Sequence, residues 1–170
     1  SYCIIENGRR LAPRIGYYGG GLYLGTSAVT VSNSTIRNCI AGYGGAIIVA
    51  GTSSPVISRC IITGNTANEQ GGGIYVAGGS SPVISNTILY NNRSLSSTRG
   101  GGTIASITSS PQIVNSTIAY SSSPAAEGKS ILLDNSPGAR VINTVMWGGS
   151  NHIGLTGTPS SGIEYCAIEG

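Results

Sequence analysis

The sequence predicts an all-β fold, a single-stranded right-handed parallel β-helix (solenoid) of about six coils of 22–31 residues, with three short strands per coil. Three observations carry this. The stretches GGAIIVAGTSSPVISRCIITGN, GGGIYVAGGSSPVISNTILYNN and GGGTIASITSSPQIVNSTIAYS overlay without a gap. A repeat of that length, rich in Gly and Ser, marks a solenoid built one coil at a time. Each copy holds short apolar runs of period two separated by turn residues, which is a strand pattern and not a helical one.

The Pro of the SSP motif sets the register, with anchors at Val29, Pro55, Pro82, Pro111, Ala139 and Ser161. The first strand follows the GG turn. It aligns Ile47, Ile74, Thr103, Ile131 and Ile153, with Leu22 one place out of step, and then Val49, Val76, Ala105, Leu133 and Leu155. The second strand aligns Val31, Ile57, Ile84, Ile113, Val141 and Ile163. The third aligns Ile5, Ile36, Ile62, Leu89, Ile118, Met146 and Ile168. Stacked about 4.8 Å apart, each column becomes an aliphatic ladder. One coil cannot fold alone. Five or six buried aliphatics at about 1.5–3 kcal/mol each fall short of ordering some 27 residues at about 1–2 kcal/mol apiece, so neighbouring coils must close the gap.

Four residues after the anchor stand Asn33, Asn86, Asn115 and Asn143, interrupted by Arg59 and Tyr165. Asn at a sharp bend tolerates the left-handed conformation, and stacked amides bond from coil to coil. These residues resemble the asparagine ladder of the pectate-lyase-like β-helix superfamily. The phrases GGGIYVAGGSSPVISNTILYNN and SSPVISRCIITGN resemble the repeats of large bacterial surface and adhesin-type proteins. The resemblance covers nearly the whole chain and is strongest over 44–120. It implies a fold rather than a function, because this scaffold hosts lyases, hydrolases, adhesins and phage tailspikes alike.

The next column runs Cys3, Ser34, Cys60, Thr87, Ser116, Thr144 and Cys166, at spacings of 31, 26, 27, 29, 28 and 22 residues. Coils swell mostly between the third strand and the next GG turn, at 37–43, 63–70, 90–99 and 119–127. The segment 6–21, with Arg9, Arg10 and Arg14, holds the same place in the first coil. Variable loops sharing one edge of a regular stack are where a recognition surface is built. Cys3 and Cys60 share a column two coils apart, about 9.6 Å at the strand spacing, beyond the roughly 7 Å that a disulfide spans. Cys39 falls in a different turn. Cys3, Cys60 and Cys166 are therefore expected as buried thiols, and no Cys/His spacing suggests a metal.

Enzymes of the resembling superfamily place their catalytic groups on the outer face of the first strand. The outward residues expected there are Tyr23, Ile48, Tyr75, Ile104, Leu132 and Gly154, a strip without a carboxylate, lysine or arginine. A Ca²⁺-assisted lyase needs oxygen ligands and a base, and a glycosidase needs two carboxylates facing one bond. The chain holds one Asp, Asp134, and five Glu: Glu6, Glu69, Glu127, Glu164 and Glu169. No catalytic residue and no cofactor is implied. Tyr23, Ile48, Tyr75 and Ile104 are the candidates for binding a carbohydrate or a partner surface, the latter favoured. Outward Ile61, Ile88 and Val145 make the third strand's face apolar too, and exposed apolar patches mark interfaces. A weak charged cluster gathers Lys129, Asp134 and Arg140, with His152 as a further member. Asp134 is read as a turn former in DNSPG and His152 as an isolated loop residue. The sequons at Asn33, Asn92 and Asn115 are read as chance matches in an Asn/Ser/Thr-rich repeat.

Only 9% of residues are charged, against about 25% in typical soluble proteins. The net charge of +3 comes from scattered arginines, so no basic stripe marks nucleic-acid binding. No apolar run reaches the roughly 20 residues that span a membrane. Low charge and Ser/Thr/Gly-rich composition point to an extracellular or cell-surface location. Residues 1–170 are expected to form a single domain. They begin and end inside third strands without a visible cap, as a segment of a longer β-helix or a head-to-tail stacking unit would. The expected partners are copies of itself or adjoining coils, with glycans as a further candidate. The preferred reading is a non-catalytic structural or adhesive β-helix of a bacterial surface protein or fibre. The alternative is a carbohydrate-binding or polysaccharide-degrading β-helix whose catalytic residues lie mostly outside this segment. Ice binding finds no support in the irregular Thr35, Thr117 and Thr144.

Overall fold

A computed structural model describes residues 2–10, 18–26, 28–126, 128–157 and 161–169. Arg14 and Glu127, which the sequence puts on the loop edge, lie outside them. Among the described residues every paired strand is parallel to its neighbours and lies one coil away from each. The first sheet stacks Leu22–Gly25, Ile47–Ala50, Ile74–Val76, Ile104–Ile107, Ile131–Asp134 and Ile153–Thr156. The second stacks Thr30–Ser32, Val56–Ser58, Val83–Ser85, Gln112–Val114, Arg140–Ile142 and Gly162–Glu164. The third runs from Cys3–Glu6 through Ser34–Arg37, Ile61–Thr63, Ile88–Tyr90, Thr117–Ala119 and Val145–Trp147 to Ala167–Ile168. This is the parallel solenoid with three main strands per coil. No described helix is long and apolar enough to cross a membrane.

A fourth sheet was not foreseen. Ile40–Ala41, Thr66–Ala67 and Arg93–Ser94 pair within the segments read as variable loops. Strands of two residues carry no periodicity to detect.

The corners are turned by single left-handed residues at matching places in successive coils. Asn33, Arg59, Asn86, Asn115, Asn143 and Tyr165 have φ between 47° and 54°. A second such column, after the third sheet, holds Asn7, Asn38, Gly64, Asn91, Tyr120 and Gly148. Asn and Gly enter this conformation most cheaply, which is why they dominate both columns. In the GG turn the two glycines have different duties. A Cβ on Gly44, at φ +61°, would stand 2.3 Å from the carbonyl oxygen of Ile47. A Cβ on Gly72 would stand 2.3 Å from the Gly102 carbonyl oxygen of the next coil. The first glycine allows the bend and the second allows the coils to approach.

Inside, the aliphatic columns pair as ladders. Ile57, Ile84 and Ile113 are in register and fully buried, as are Ile36, Ile62, Leu89 and Ile118. One column needs correction. Ile104, expected to point outward, pairs with Ile74 and Ile131 and is fully buried in the core. Ala105 faces outward beside Tyr75, and Ser106 takes the inward place beside Val76. The reason lies at the following corner. Gly78 and Gly79 are both left-handed in the coil before, whereas Thr108 turns its corner alone. One residue fewer separates Ile104 from Pro111, so counting back from the anchor slips by one. Leu22, likewise seven residues before its anchor Val29, is in register with Ile47.

Two buried polar ladders run beside the aliphatic ones. Asn65 and Asn92 are fully buried: the Cys39 backbone N–H donates to Asn65 Oδ1 at 2.9 Å, and the Asn65 backbone N–H to Asn92 Oδ1 at 3.1 Å. The first serine of SSP forms the other. The Ser53 backbone N–H donates to Ser80 Oγ, and that of Ser80 to Ser109 Oγ, each at 3.2 Å. By contrast Asn33, Asn86, Asn115 and Asn143 are exposed. Their amides link along the outside: Asn143 Nδ2 donates to Asn115 Oδ1 at 2.7 Å, and Arg59 Nε to Asn33 Oδ1 at 2.9 Å.

The cysteines sit among hydroxyls. Cys60 Sγ donates to the Ser58 carbonyl at 3.3 Å, as Thr87 Oγ1 does to Ser85 at 2.9 Å in the next coil. All four thiols are free; Cys39 and Cys60 are buried and Cys166 partly so. Burial pushes both the Cys39 and Cys60 thiols up. Cys3 is exposed, contrary to expectation, because among the described residues its strand pairs only with Ser34–Arg37.

Candidate binding face on the first sheet

The outer column of the first sheet is Tyr23, Ile48, Tyr75, Ala105, Leu132 and Gly154. Only part of it is open. Tyr23 is 56% exposed, but Ile48 and Leu132 are buried although they point outward. The segment before each GG turn folds against this face: a Cβ on Gly19 would stand 2.9 Å from Ile48 Cγ2. Of the four candidates, Tyr23 and Tyr75 therefore present surface, Ile48 is covered, and Ile104 lies in the core.

The covering segments bring their own aromatics. Tyr43 stands between Tyr18 and Tyr75, with ring centroids 5.6 and 4.9 Å away and interplanar angles of 42° and 52°. Such tilted pairs align the edge of one ring with the face of the next. Burial, and then the neighbouring Tyr43 and Tyr18, push the Tyr75 phenol up to about 12. Arg99 opposes that rise and Asp134 adds to it, so both charges reach this face.

Arg99 and Asp134 line an open cleft of about 320 Å³, together with Thr98, Thr156 and the apolar Leu132, Ala125 and Ala126. Asp134 closes the strand Ile131–Asp134 and is buried. Its Oδ2 is paired with Arg99 Nη1, and its Oδ1 accepts from Asn135 Nδ2 at 3.1 Å. Arg99 is about half-exposed over the cleft. The expected cluster of Lys129, Asp134 and Arg140 does not assemble. Arg140 stands on the second sheet, where Nη2 donates to Glu164 Oε1 at 2.7 Å. Asp134 is a strand residue whose partner is Arg99, and the turn residue is Asn135, at φ 45°. His152 is not a loop residue in solvent. It is buried, with Nδ1 2.8 Å from Ser130 Oγ and Nε2 without a partner among the described residues.

Sequence reasoning missed Arg99 because it belongs to a loop of irregular length. The usable signal was its place two residues before Gly101 of the GG turn, which aims it across the first sheet. Chemically the face combines aromatic surface, one half-exposed guanidinium, two hydroxyls and an apolar floor. Among the described residues no group of three His, Cys, Asp or Glu is placed to hold a metal ion.

The model of one protein family, described as the right handed beta helix region, matches residues 1–95 and 45–170. The two matches together span the chain, and their overlap reflects the internal repeat. No curated protein and no solved structure matches it. The parallel sheets, the left-handed corners and this match agree: the chain belongs to the right-handed β-helix family.

Proposed function

We propose that this chain is a non-catalytic structural or adhesive β-helix, part of an extracellular or cell-surface protein or fibre of a bacterium. The observation that carries the reading is how its carboxylates are used. Glu6 pairs with Arg37 on the third sheet at 2.6 Å, Asp134 with Arg99 on the first, and Glu164 with Arg140 on the second. Each joins neighbouring coils, and no two of them face a common bond. Glu169 accepts the Gly148 backbone N–H at 2.5 Å. Carboxylates so distributed support a scaffold better than acid–base chemistry, which needs two of them converging on one substrate. Low charge density supports the extracellular location. The natural partners are adjoining coils or further copies of the chain.

A second reading rests on the cleft and the tyrosine cluster. The first-sheet face would hold a glycan, with Tyr23 and Tyr75 against sugar rings, and any cleavage would be done by residues outside this segment. One experiment separates the two. Uronic-acid polymers are incubated with the protein, with and without Ca²⁺, and scanned for unsaturated or new reducing ends. The expected result is no turnover. Turnover that falls on Asp134→Ala or Arg99→Ala would overturn the preferred reading.

A further inference from the structure

The aromatic side chains of this chain are nearly all phenols: nine Tyr and one Trp, with no Phe. Three of them are gathered by the fold. Tyr18 and Tyr43 each stand directly before a left-handed glycine, Gly19 at φ 66° and Gly44 at φ 61°, which turns the chain towards the first sheet. They hold the same place in successive coils: the two residues form a parallel bridge, and the Gly19 N–H donates to the Tyr43 carbonyl at 2.9 Å. In the next coil Gln70 takes that place, its carbonyl accepting the Gly44 N–H at 3.1 Å. The column of rings therefore ends at Tyr43, and the next ring is supplied by Tyr75 from the strand Ile74–Val76. The Tyr43 and Tyr75 centroids are 4.9 Å apart, closer than the 5.6 Å between Tyr18 and Tyr43. Packing alone explains a tilted aromatic pair, but it requires no hydroxyl, and phenylalanine would serve it as well.

We propose that Tyr43 and Tyr75 are a site of oxidative cross-linking, at which a haem peroxidase using hydrogen peroxide joins the two rings as dityrosine. Each phenol gives up one electron and its O–H proton. The two phenoxyl radicals combine through the ring carbons ortho to oxygen, forming one bond from a Cε of Tyr43 to a Cε of Tyr75. Those two carbons then lose their hydrogens as the oxygens regain theirs, which restores both aromatic rings and both hydroxyls. In all the pair loses two hydrogen atoms, and one peroxide takes them up to leave two waters. Three features select this pair. The rings are already in contact, so coupling needs little movement, whereas tyrosines of separate molecules must first meet. Both residues are half-buried, so an oxidant has access and water takes the protons. Burial pushes the Tyr75 phenol up to about 12, so at neutral pH it reacts as the neutral phenol and its proton leaves with the electron. The product ties residues 32 apart in sequence across neighbouring coils, and a link of that kind restricts the unfolded chain as a disulfide does. The cysteines supply no such link, since all four thiols are free. The inference concerns the chemistry of the chain itself and stands whether or not the scaffold reading holds.

The test treats dilute protein with a plant haem peroxidase and hydrogen peroxide, under conditions that couple free tyrosine. The expected product is a monomer on a denaturing gel that carries dityrosine fluorescence and is lighter by two hydrogen atoms. Trypsin should then leave residues 38–59 and 60–93 joined, with fragment masses placing the bond between Tyr43 and Tyr75. The coupled monomer should unfold at a higher urea midpoint than the untreated protein. Tyr43→Phe and Tyr75→Phe keep the ring packing and should each abolish the fluorescence of the monomer, with far-ultraviolet circular dichroism unchanged. Tyr120→Phe, at a tyrosine 58% exposed, should leave it intact. No dityrosine, dityrosine only between molecules, a bond from Tyr43 to Tyr18 in place of Tyr75, or undiminished fluorescence in Tyr75→Phe would each overturn the proposal.

Discussion

Replacing Asn92 by alanine removes the middle of the buried amide ladder, and the structure fixes what that costs. Asn92 is fully buried. Its Oδ1 accepts the Asn65 backbone N–H at 3.1 Å and Asn65 Nδ2 at 3.0 Å, and its Nδ2 donates to the Ile62 carbonyl at 2.8 Å. Alanine leaves two donors of the preceding coil and one acceptor short of a partner. At about 1–3 kcal/mol for each orphaned buried donor, the loss is about 2–6 kcal/mol, a large share of the roughly 5–15 kcal/mol that holds a domain together. Urea unfolding followed by circular dichroism measures it. Asn86→Gly is the control: Asn86 is exposed at φ 51°, and glycine keeps that conformation, so the change should stay within about 0.5 kcal/mol. Asn92→Asp adds a test of sign. An ionised carboxylate without a counter-charge in this site is disfavoured, so its folded-state pKa lies above the unfolded value. Its destabilisation must therefore shrink as pH falls and the group takes up a proton. A loss under about 1 kcal/mol for Asn92→Ala, or an equal loss for Asn86→Gly, would refute the assignment of the ladder as structural.

Gly44→Ala puts a Cβ 2.3 Å from the Ile47 carbonyl oxygen at a left-handed φ of +61°. It should cost more than the roughly 1–2 kcal/mol of the left-handed conformation alone, read as a lower urea midpoint. Tyr75 should ionise well above the ordinary tyrosine range in an absorbance titration. Its folded-state value, about 12, lies above its ordinary 10.0. The stability this contributes is present below pH 10 and is lost as pH rises towards 12, so tyrosine ionisation and unfolding should coincide at the top of that window.

The inward columns were legible because burial is periodic: Ile57, Ile84 and Ile113 repeat at the same offset from the anchor in every coil. The slip at Ile104 shows the limit of that reading. Corner length is set by whether one or two left-handed residues turn it, and Thr108 carries no visible mark of doing so. Asn was read as a ladder former, and it is, but the buried ladder is Asn65 and Asn92 rather than the exposed Asn33, Asn86, Asn115 and Asn143. Both sets recur at a near-constant spacing, so recurrence alone does not tell an inward amide from an outward one. The first serine of SSP recurs in every complete repeat, but nothing in the sequence marks its hydroxyl as an inward acceptor for the neighbouring coil. Arg99 and the stacking of Tyr43 on Tyr75 were beyond reach, because they depend on how loops of unequal length fold across a sheet.

Charge in this chain is spent on joining coils. Arg37, Arg99 and Arg140 each reach a carboxylate on a neighbouring coil. What such pairs add is modest where both partners are exposed, as with Arg37 and Glu6, and with only 9% of residues charged the chain has few charges to steer a ligand from a distance. Recognition must then come from contact: aromatic surface, amides and shape. The faces best equipped for contact are the outer sides of the first and third sheets, which share one core yet present different chemistry. In a solenoid this separation follows from the pleat, since alternate residues of a strand belong to the core and to a face. The inward set is held mostly to aliphatic side chains by the coils on either side, while the outward set is freer to change without disturbing the stack.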